Sequence, residues 1–442
     1  MNKQTTPWLF IPSLYLVEGL PYIIINAVSV LLYSDLGYAN DKIAFWTGFL
    51  YLPWTLKMFW SPLVDSHSTK RRWLLTSQVV LSLLFLLIGA LVCIYTFVTA
   101  GNLAASNPFF AYTLFGFLLG AFASATLDIA TDGYYLLSLT PADQAGFVGI
   151  RTIFYRLAMI LGSGLFVSAV GALANKQNPA QGFLPWPYNW GAFFIALGIL
   201  FLVFAAYHFY ALPKPQQDKP VTVSKTHAWT EAFSTYFKQK NILYILLFIL
   251  LYRFGEALLD KIVPLFLSKP VSEGAIGLSM QQLGMIKGTL GIGAIIAGNL
   301  LGGFLLKKWG FRKCIWPFAC ALVLPNIFYV YIALVRPSLA VIAALITLEN
   351  FGYGLAMMAL TVFIMYVSQG KYKTSHYAIS TGIMALGMMV PSMLSGKLQM
   401  WLGYENFFWA AFIISLITFA IVPLSFRISV LEETEKTFRE RS

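Results

Sequence analysis

Apolar positions in this chain do not alternate with polar ones; they run together. From Trp8 onward the sequence is a series of long apolar stretches separated by short polar turns. A membrane-crossing helix needs about 20 mostly apolar residues, and the pattern predicts twelve such spans. They cover residues 8–34, 43–64, 73–99, 109–137, 145–173, 190–212, 241–267, 281–306, 314–335, 339–368, 374–396 and 406–426. The longest polar stretch, Pro213 to Lys240, opens "PKPQQDKPVTVSKTHAWT" and divides the spans six and six. Its Pro, Lys and Gln content marks a linker. The expected architecture is all-α and integral to the membrane. It comprises an N-terminal six-helix bundle (1–212), a cytoplasmic linker (213–240), a C-terminal six-helix bundle (241–426) and a cytoplasmic tail (427–442).

Composition agrees with a lipid environment. Of 442 residues, 58% are hydrophobic, 16% aromatic and only 11% charged, against about 25% charged in a soluble domain. The net charge of +12 brings nucleic acid to mind, but no soluble basic domain exists to carry it. The N-terminal apolar run extends to about Leu32 and contains Glu18 and Pro21, so it reads as the first span rather than a cleavable leader.

Placement of the basic residues orients the chain. With the N-terminus in the cytoplasm, cytoplasmic segments hold 19 Lys and Arg, and the opposite side holds five: Lys42, Lys176, Lys269, Arg336 and Lys397. Excess positive charge stays inside, so both termini are expected in the cytoplasm. Cys93, Cys314 and Cys320 sit in or beside apolar runs, with no CxxC and no metal spacing to any His. No metal site, cofactor loop or nucleophile–base constellation is visible.

Charged residues inside spans are costly and point to function. Six are acidic (Glu18, Asp128, Asp132, Glu256, Asp260, Glu349) and six basic (Lys57, Arg151, Arg156, Arg253, Lys261, Lys287). A rise of 1.5 Å per residue puts Asp132 and Arg151 both ~8–9 Å from the cytoplasmic side. Asp128 and Arg156 both come out ~14–17 Å deep. Adjacent antiparallel spans 4 and 5 are therefore expected to pair Asp132 with Arg151 and Asp128 with Arg156. The first pair is a clasp near the cytoplasmic mouth, structural or gating; the second is the better placed for a working site. By the same reckoning Asp260 and Lys287 match at ~9–10 Å from the outer side, and Arg253 and Glu256, three apart on one helix, can pair with each other. Lys57 would snorkel or join the cytoplasmic clasp. No opposite charge stands near Glu18 or Glu349 in the sequence. Each is either a proton-exchanging group or a hydrogen-bonded core acid. Pro21, Pro53, Pro62, Pro264 and Pro391 interrupt spans, and Gly162, Gly164, Gly382, Gly387 and Gly396 would permit close packing or bending.

The halves repeat. Span 2 ends "SPLVDSHSTKRR" (Ser61 to Arg72) and span 8 ends "GGFLLKKWGFRK" (Gly302 to Lys313). Both resemble the loop signature of the major facilitator superfamily: a small residue, three apolar residues, an acid and a basic turn. Asp65 holds the acid position in the first copy, with Arg71 and Arg72 in the basic turn. Lys307 replaces the acid in the second. Four longer stretches, "LKMFWSPLVDSHSTKRRWLLTSQ", "SATLDIATDGYY" with "YRLAMILGSGL", "LYRFGEAL" and "EGLPY", resemble the AmpG-type muropeptide permeases of that superfamily, to which the eukaryotic acetyl-CoA transporters are similar. Glu18 stands where that family has a small residue.

The resemblance implies the superfamily fold and a proton-driven importer of peptidoglycan fragments in the bacterial inner membrane, with a monomer as the superfamily default. It implies a cavity lined by spans 1, 4, 7 and 10. For anionic, amphiphilic cargo, Arg156 or Arg253 would hold a carboxylate bidentately. Tyr22, Trp54, Tyr135 and Tyr353 would stack on sugar faces. Asp128, Glu18, Glu256 and Glu349 are the proton-coupling candidates. Lys57, Asp65, Arg71, Arg72, Asp132, Arg151, Asp260 and Lys287 are the gating candidates. Partners would be the small-molecule cargo, protons and membrane lipid, with no cofactor. Competing readings are a transporter of another small anionic solute, a polytopic membrane enzyme, or a sensor built on a transporter fold. The enzyme would need a catalytic cluster near one interface, and the internal repeat argues against it.

Overall fold

The computed structural model describes residues 7–103, 107–139, 141–173, 183–216, 218–219, 226–368 and 373–428, and these are helical or irregular, with no strand among them. Lys3, Lys176, Lys225, Lys371 and the tail beyond Ile428 lie outside the described residues, as do the side chains of Asp65 and Lys307.

Among the described residues, ten helices are long and apolar enough to cross a membrane. One of them, His376–Ser425, is 50 residues long and holds two crossings, because Gly403 at φ 74° breaks it. Span 2 is two shorter helices, Asn40–Phe49 and Leu52–His67. The spans expected from the sequence are thus all present, most with ends shifted by a few residues. Start and stop signals sit where helix chemistry needs them. Thr69 Oγ1 accepts the Arg72 N–H at the start of span 3 (Lys70–Val98), and Ser279 with Gln282 forms a capping box ahead of span 8. Gly310, at φ 80°, terminates span 8. The outward faces remain apolar: Phe97, Leu300 and Trp401 are among the most exposed side chains. That is expected where the solvent is lipid.

Two compact units emerge. The first comprises residues 1–38, 59–223 and 278–289; the second, residues 39–58, 224–277 and 290–442. Their boundaries cut spans 2 and 8, so the first part of each packs with the opposite set of sequence spans.

Within the first unit, spans 3 and 6 meet through glycine: a Cβ on Gly191 would lie 2.4 Å from Cys93 Sγ, and one on Gly198 2.6 Å from Leu86 Cγ. Span 5 meets the start of span 8 at Gly164 and Gly288, where a Cβ on Gly288 would come within 2.2 Å of the Ser163 carbonyl. The linker begins as part of this unit. Asp218 accepts the Lys70 and Arg71 backbone N–H groups at 2.6 and 3.0 Å. Tyr134 donates to the Pro213 carbonyl at 2.7 Å.

Within the second unit, the start of span 2 packs on span 11, where Gly396 abuts the Asn40 carbonyl and Gly48 abuts Met393. Asn40 Nδ2 donates to Gln399 Oε1 and the Tyr404 hydroxyl at 2.7 and 2.8 Å. Spans 8 and 10 are locked at Gly298 and Gly354. Spans 7, 9, 10 and 12 share a core in which the Phe248 and Phe363 rings stack at 4.1 Å, with Cys314 buried among them. Without a hydrophobic drive between helices in lipid, such close backbone approach supplies the packing energy.

Replacing Gly288 by Val forces a side chain into the Ser163 and Gly164 backbone, and over-packing of this kind costs about 1–3 kcal/mol or more. Thermal unfolding in detergent is expected to show a clearly lowered midpoint for Gly288→Val. Gly293→Ala is the control, since a Cβ there meets nothing within 4 Å, and its midpoint should be unchanged or slightly raised.

Candidate functional site

Spans 1, 4 and 5 of the first unit bring the expected charges together. Gly19 lets span 1 press on span 5: a Cβ there would sit 2.8 Å from Ala158 Cβ and 2.9 Å from the Tyr155 carbonyl. This approach carries Tyr15, Glu18 and Tyr22 to the charged faces of spans 4 and 5.

The Asp132–Arg151 pair forms, at 3.2 Å. The structure adds a third member that charge matching missed. The Tyr15 hydroxyl donates to Asp132 Oδ1 at 3.1 Å and accepts from Arg151 Nη1 at 3.1 Å. The Arg151 guanidinium also lies over the rings of Tyr15 and Tyr135, at 5.2 and 5.1 Å. Tyr135, expected to stack on cargo, therefore offers its ring to the clasp. Glu18 is buried one turn along from Tyr15 and lies within electrostatic reach of Tyr15, Arg151 and Tyr155. Its charged neighbours come from other spans, and for that reason they are invisible in local sequence.

Deeper in the unit, Tyr155 is the meeting point. Asp128, Arg156, Glu18 and Tyr22 all interact with it electrostatically. Asp128 and Arg156 thus both lie within electrostatic reach of Tyr155. Arg156 Nη1 also meets Met159 Sδ at 3.6 Å, a weak acceptor. The result is a string of ionisable groups along spans 1, 4 and 5, from Asp132 through Tyr15, Glu18 and Tyr155 to Asp128 and Arg156.

The second unit holds a separate set. Arg253 does not continue the helix (φ −115°, ψ 18°) and serves as the N-cap of Phe254–Ser268. Its guanidinium donates to the Tyr353 hydroxyl and lies 4.9 Å over that ring. Arg253 thus stands at the N-terminal boundary of this helix, three residues before Glu256 in its first turn. Glu349 is buried, and its Oε2 accepts from the Tyr329 hydroxyl at 2.8 Å and from Asn350 Nδ2 at 3.0 Å. Glu256 lies within electrostatic reach of the same Tyr329. Glu349, which lacks an opposite charge nearby in sequence, is thus a hydrogen-bonded acid with donors on spans 9 and 10.

Asp260, expected to match Lys287 in depth, has partners within its own unit. Asp260 Oδ2 pairs with Lys261 at 3.1 Å and accepts from Tyr51 at 3.3 Å, and Lys261 lies 4.7 Å over the Tyr51 ring. Lys287 belongs to the other unit. Adjacent residues on a helix point to different sides; the Tyr51 side chain, reaching both, is what makes the pair possible. Trp54 and Lys57 are partly buried on span 2.

Of the basic-loop residues, Arg71 closes the end of span 6. Its side chain donates to the carbonyls of Phe209 and Leu212, groups left without helical donors. Arg72 is held through its backbone by Thr69. Among the described residues no cluster of three metal-ligating side chains occurs.

Residues 13–375 match the sequence profile of the Major Facilitator Superfamily. The chain belongs to that superfamily. It is a multi-pass membrane transporter. A Rickettsia conorii protein described as putative transporter AmpG 4 is 23% identical over 433 residues, covering 94% of this chain and 95% of that one. The anhydromuropeptide permease of Escherichia coli K12 is 24% identical over 360 residues, covering 80% of this chain and 67% of the permease. Among solved structures, a D-xylose-proton symporter superposes with a TM-score of 0.71 at 12% identity, over 94% of this chain and 96% of the symporter. A bacterial homologue of the human lysosomal transporter Spinster superposes with 0.71 at 14%, over 97% and 98%. The resemblance to AmpG transporters thus extends over most of the chain, and the superfamily fold is shared.

The Asp132–Arg151 pair is half-exposed, so its net worth is modest, about 1 kcal/mol or less for a pair of this kind. A double-mutant cycle of Asp132→Asn and Arg151→Gln, read as thermal stability in detergent, is expected to give a coupling of that size. Repeating the cycle in a Tyr15→Phe background should change the coupling measurably, because the hydroxyl bonds to both partners.

Proposed function

We propose that this transporter is a proton-driven importer of peptidoglycan fragments, anhydro-muramyl sugars with or without a peptide stem. It would move them from periplasm to cytoplasm across the bacterial inner membrane, as a monomer with both termini in the cytoplasm. The observation that carries the coupling is the string of ionisable groups in the first unit. The Tyr15 hydroxyl bonds to both Asp132 and Arg151, and Glu18, Asp128 and Arg156 lie within electrostatic reach of Tyr155. Ionisable residues at membrane depth pair with one another and mark ion pathways and proton relays. The names borne by the relatives support the cargo.

The chemistry is consistent with such cargo. A muropeptide carries carboxylates and sugar faces. Arg156 offers a planar fork to a carboxylate. Arg253 presents its guanidinium over Tyr353, where an incoming carboxylate would compete for the same donors. A proton moving down 100 mV supplies ~2.3 kcal/mol, enough to bias accumulation. The two acid sets divide the labour. Asp128 at Tyr155 is the better candidate for the working site, and Asp132 with Tyr15 and Arg151 forms the clasp.

The test is uptake into reconstituted vesicles with labelled anhydro-muropeptide, free amino sugar and dipeptide, with and without an inward proton gradient. Gradient-dependent accumulation of a cell-wall fragment is expected. No uptake of any fragment would sink the cargo, and gradient-independent accumulation would sink the coupling. Asp128→Asn is expected to abolish gradient-driven uptake while the protein stays folded in the membrane. Normal transport by Asp128→Asn together with loss in Asp132→Asn would reverse the division between site and clasp.

A further inference from the structure

Span 9 carries a polar side chain that the groups around Glu349 do not absorb. Asn326 is 2% exposed. Neither its Oδ1 nor its Nδ2 has a hydrogen-bond partner among the described residues. Other buried amides differ: Asn26 donates to the Tyr22 carbonyl, Asn189 to the Val170 carbonyl, and Gln78 pairs with His208. Asn326 lies in a one-turn 3-10 break, Leu324–Asn326, inside the span. Pro325 has no N–H, so the Ala321 carbonyl loses its helical donor. Gly352 of span 10 presses on that same oxygen: a Cβ there would lie 2.1 Å away.

The contact fixes the relative depth of spans 9 and 10. In antiparallel helices touching at Ala321 and Gly352, Glu349 is level with residue 324, and Asn326 is about 3 Å further along. Asn326 also shares a helix face with Tyr329, three residues on, whose hydroxyl bonds to Glu349 at 2.8 Å.

We propose that Asn326, Tyr329 and Glu349 enclose a site for internal water, and that this water carries protons to and from Glu349. The amide selects the ligand. A bare cation would satisfy Oδ1 and leave Nδ2 unmet, and an anion would do the reverse. Water both donates and accepts, and buried water is held by two to four polar groups of this kind. Tyr329 is a positioning residue: its hydroxyl holds the Glu349 carboxyl at 2.8 Å. The transport part of the proposal rests on the proton-coupled reading; the hydration site itself does not.

Infrared difference spectra of the purified protein in ordinary and oxygen-18 water test the site without cargo. An isotope-sensitive water O–H stretch is expected in the wild type and should vanish in Asn326→Leu, which keeps the volume and removes both polar atoms. An identical band in the two proteins overturns the site. Should Asn326→Leu fail to fold, Tyr329→Phe replaces it, and an unmoved band overturns the site equally. In vesicles, Asn326→Leu is expected to lower gradient-driven uptake of labelled anhydro-muropeptide at least ten-fold. It should leave counterflow exchange, which needs no net proton movement, within two-fold of wild type. Equal slowing of both overturns the proton role. A wild type that moves no muropeptide while the band behaves as expected rejects the cargo and leaves the water site standing.

Discussion

Everything in this fold answers to the cost of holding charge away from water. An ion placed in a low-dielectric interior loses hydration worth several kcal/mol even after relaxation, so each one must be met by groups that stand in for solvent. The described structure repeatedly uses tyrosine for this. Arg151 has Tyr15 and Tyr135, Arg253 has Tyr353, and Lys261 has Tyr51. A tyrosine serves a cation twice, with the negative face of its ring and with its hydroxyl. It serves an acid as a donor, as Tyr15 does for Asp132, Tyr329 for Glu349 and Tyr51 for Asp260. Placed beside an acid and a base already in contact, as Tyr15 is at Asp132–Arg151 and Tyr51 at Asp260–Lys261, it serves both partners at once.

That solution requires helices to come very close, and the packing supplies it. In lipid the drive for helix association is contact between surfaces. Gly19 is the clearest case, because it touches Ala158 and the Tyr155 backbone and sits beside Glu18 in sequence. The residue that permits the approach and the residue that exploits it are neighbours. A larger side chain at position 19 would hold span 1 off span 5 and withdraw Glu18 from Arg151 and Tyr155 together. Packing and electrostatics are therefore one constraint at this point.

The twelve spans are legible in the sequence because an apolar run of about 20 residues matches the thickness of a bilayer and little else. The Asp132–Arg151 pair is legible because depth along adjacent antiparallel helices is simple arithmetic. Depth says nothing about direction around the helix axis, however, and there it misleads. Asp260 and Lys287 match in depth, yet Asp260 turns to Tyr51 and Lys261. Arg253 falls inside one continuous apolar run and reads as mid-helix, but the helix is interrupted there and Arg253 caps its second part. The tyrosines are hidden differently: with 16% aromatic residues, a tyrosine that bonds a buried acid looks the same as one in an interfacial belt. Asp218 is hidden by composition, since a Pro- and Lys-rich segment reads as a tether and gives no sign that its acid caps span 3.

Departures from regular helix gather near these same groups. π-helical stretches occupy Ile24–Val28, Leu161–Phe166 and Gly284–Gly291, the last running past the end of the first unit at Thr289. The first begins just after Tyr22, the second follows Arg156 within about a turn and a half, and the third contains Lys287. In the second unit, the break at Arg253 and the 3-10 turn at Leu324–Asn326 flank the Glu256–Tyr329–Glu349 group in sequence. π and 3-10 segments have weaker hydrogen-bond ladders than α-helix, and they often mark functional positions. A span with a weakened rung beside its charged residue can turn that residue without breaking the rest of the helix. The regular parts of the spans hold position in lipid, while the irregular turns leave freedom where partners must be exchanged. On the proton-coupled reading proposed above, the irregular turns lie beside the acids that would take and release the proton.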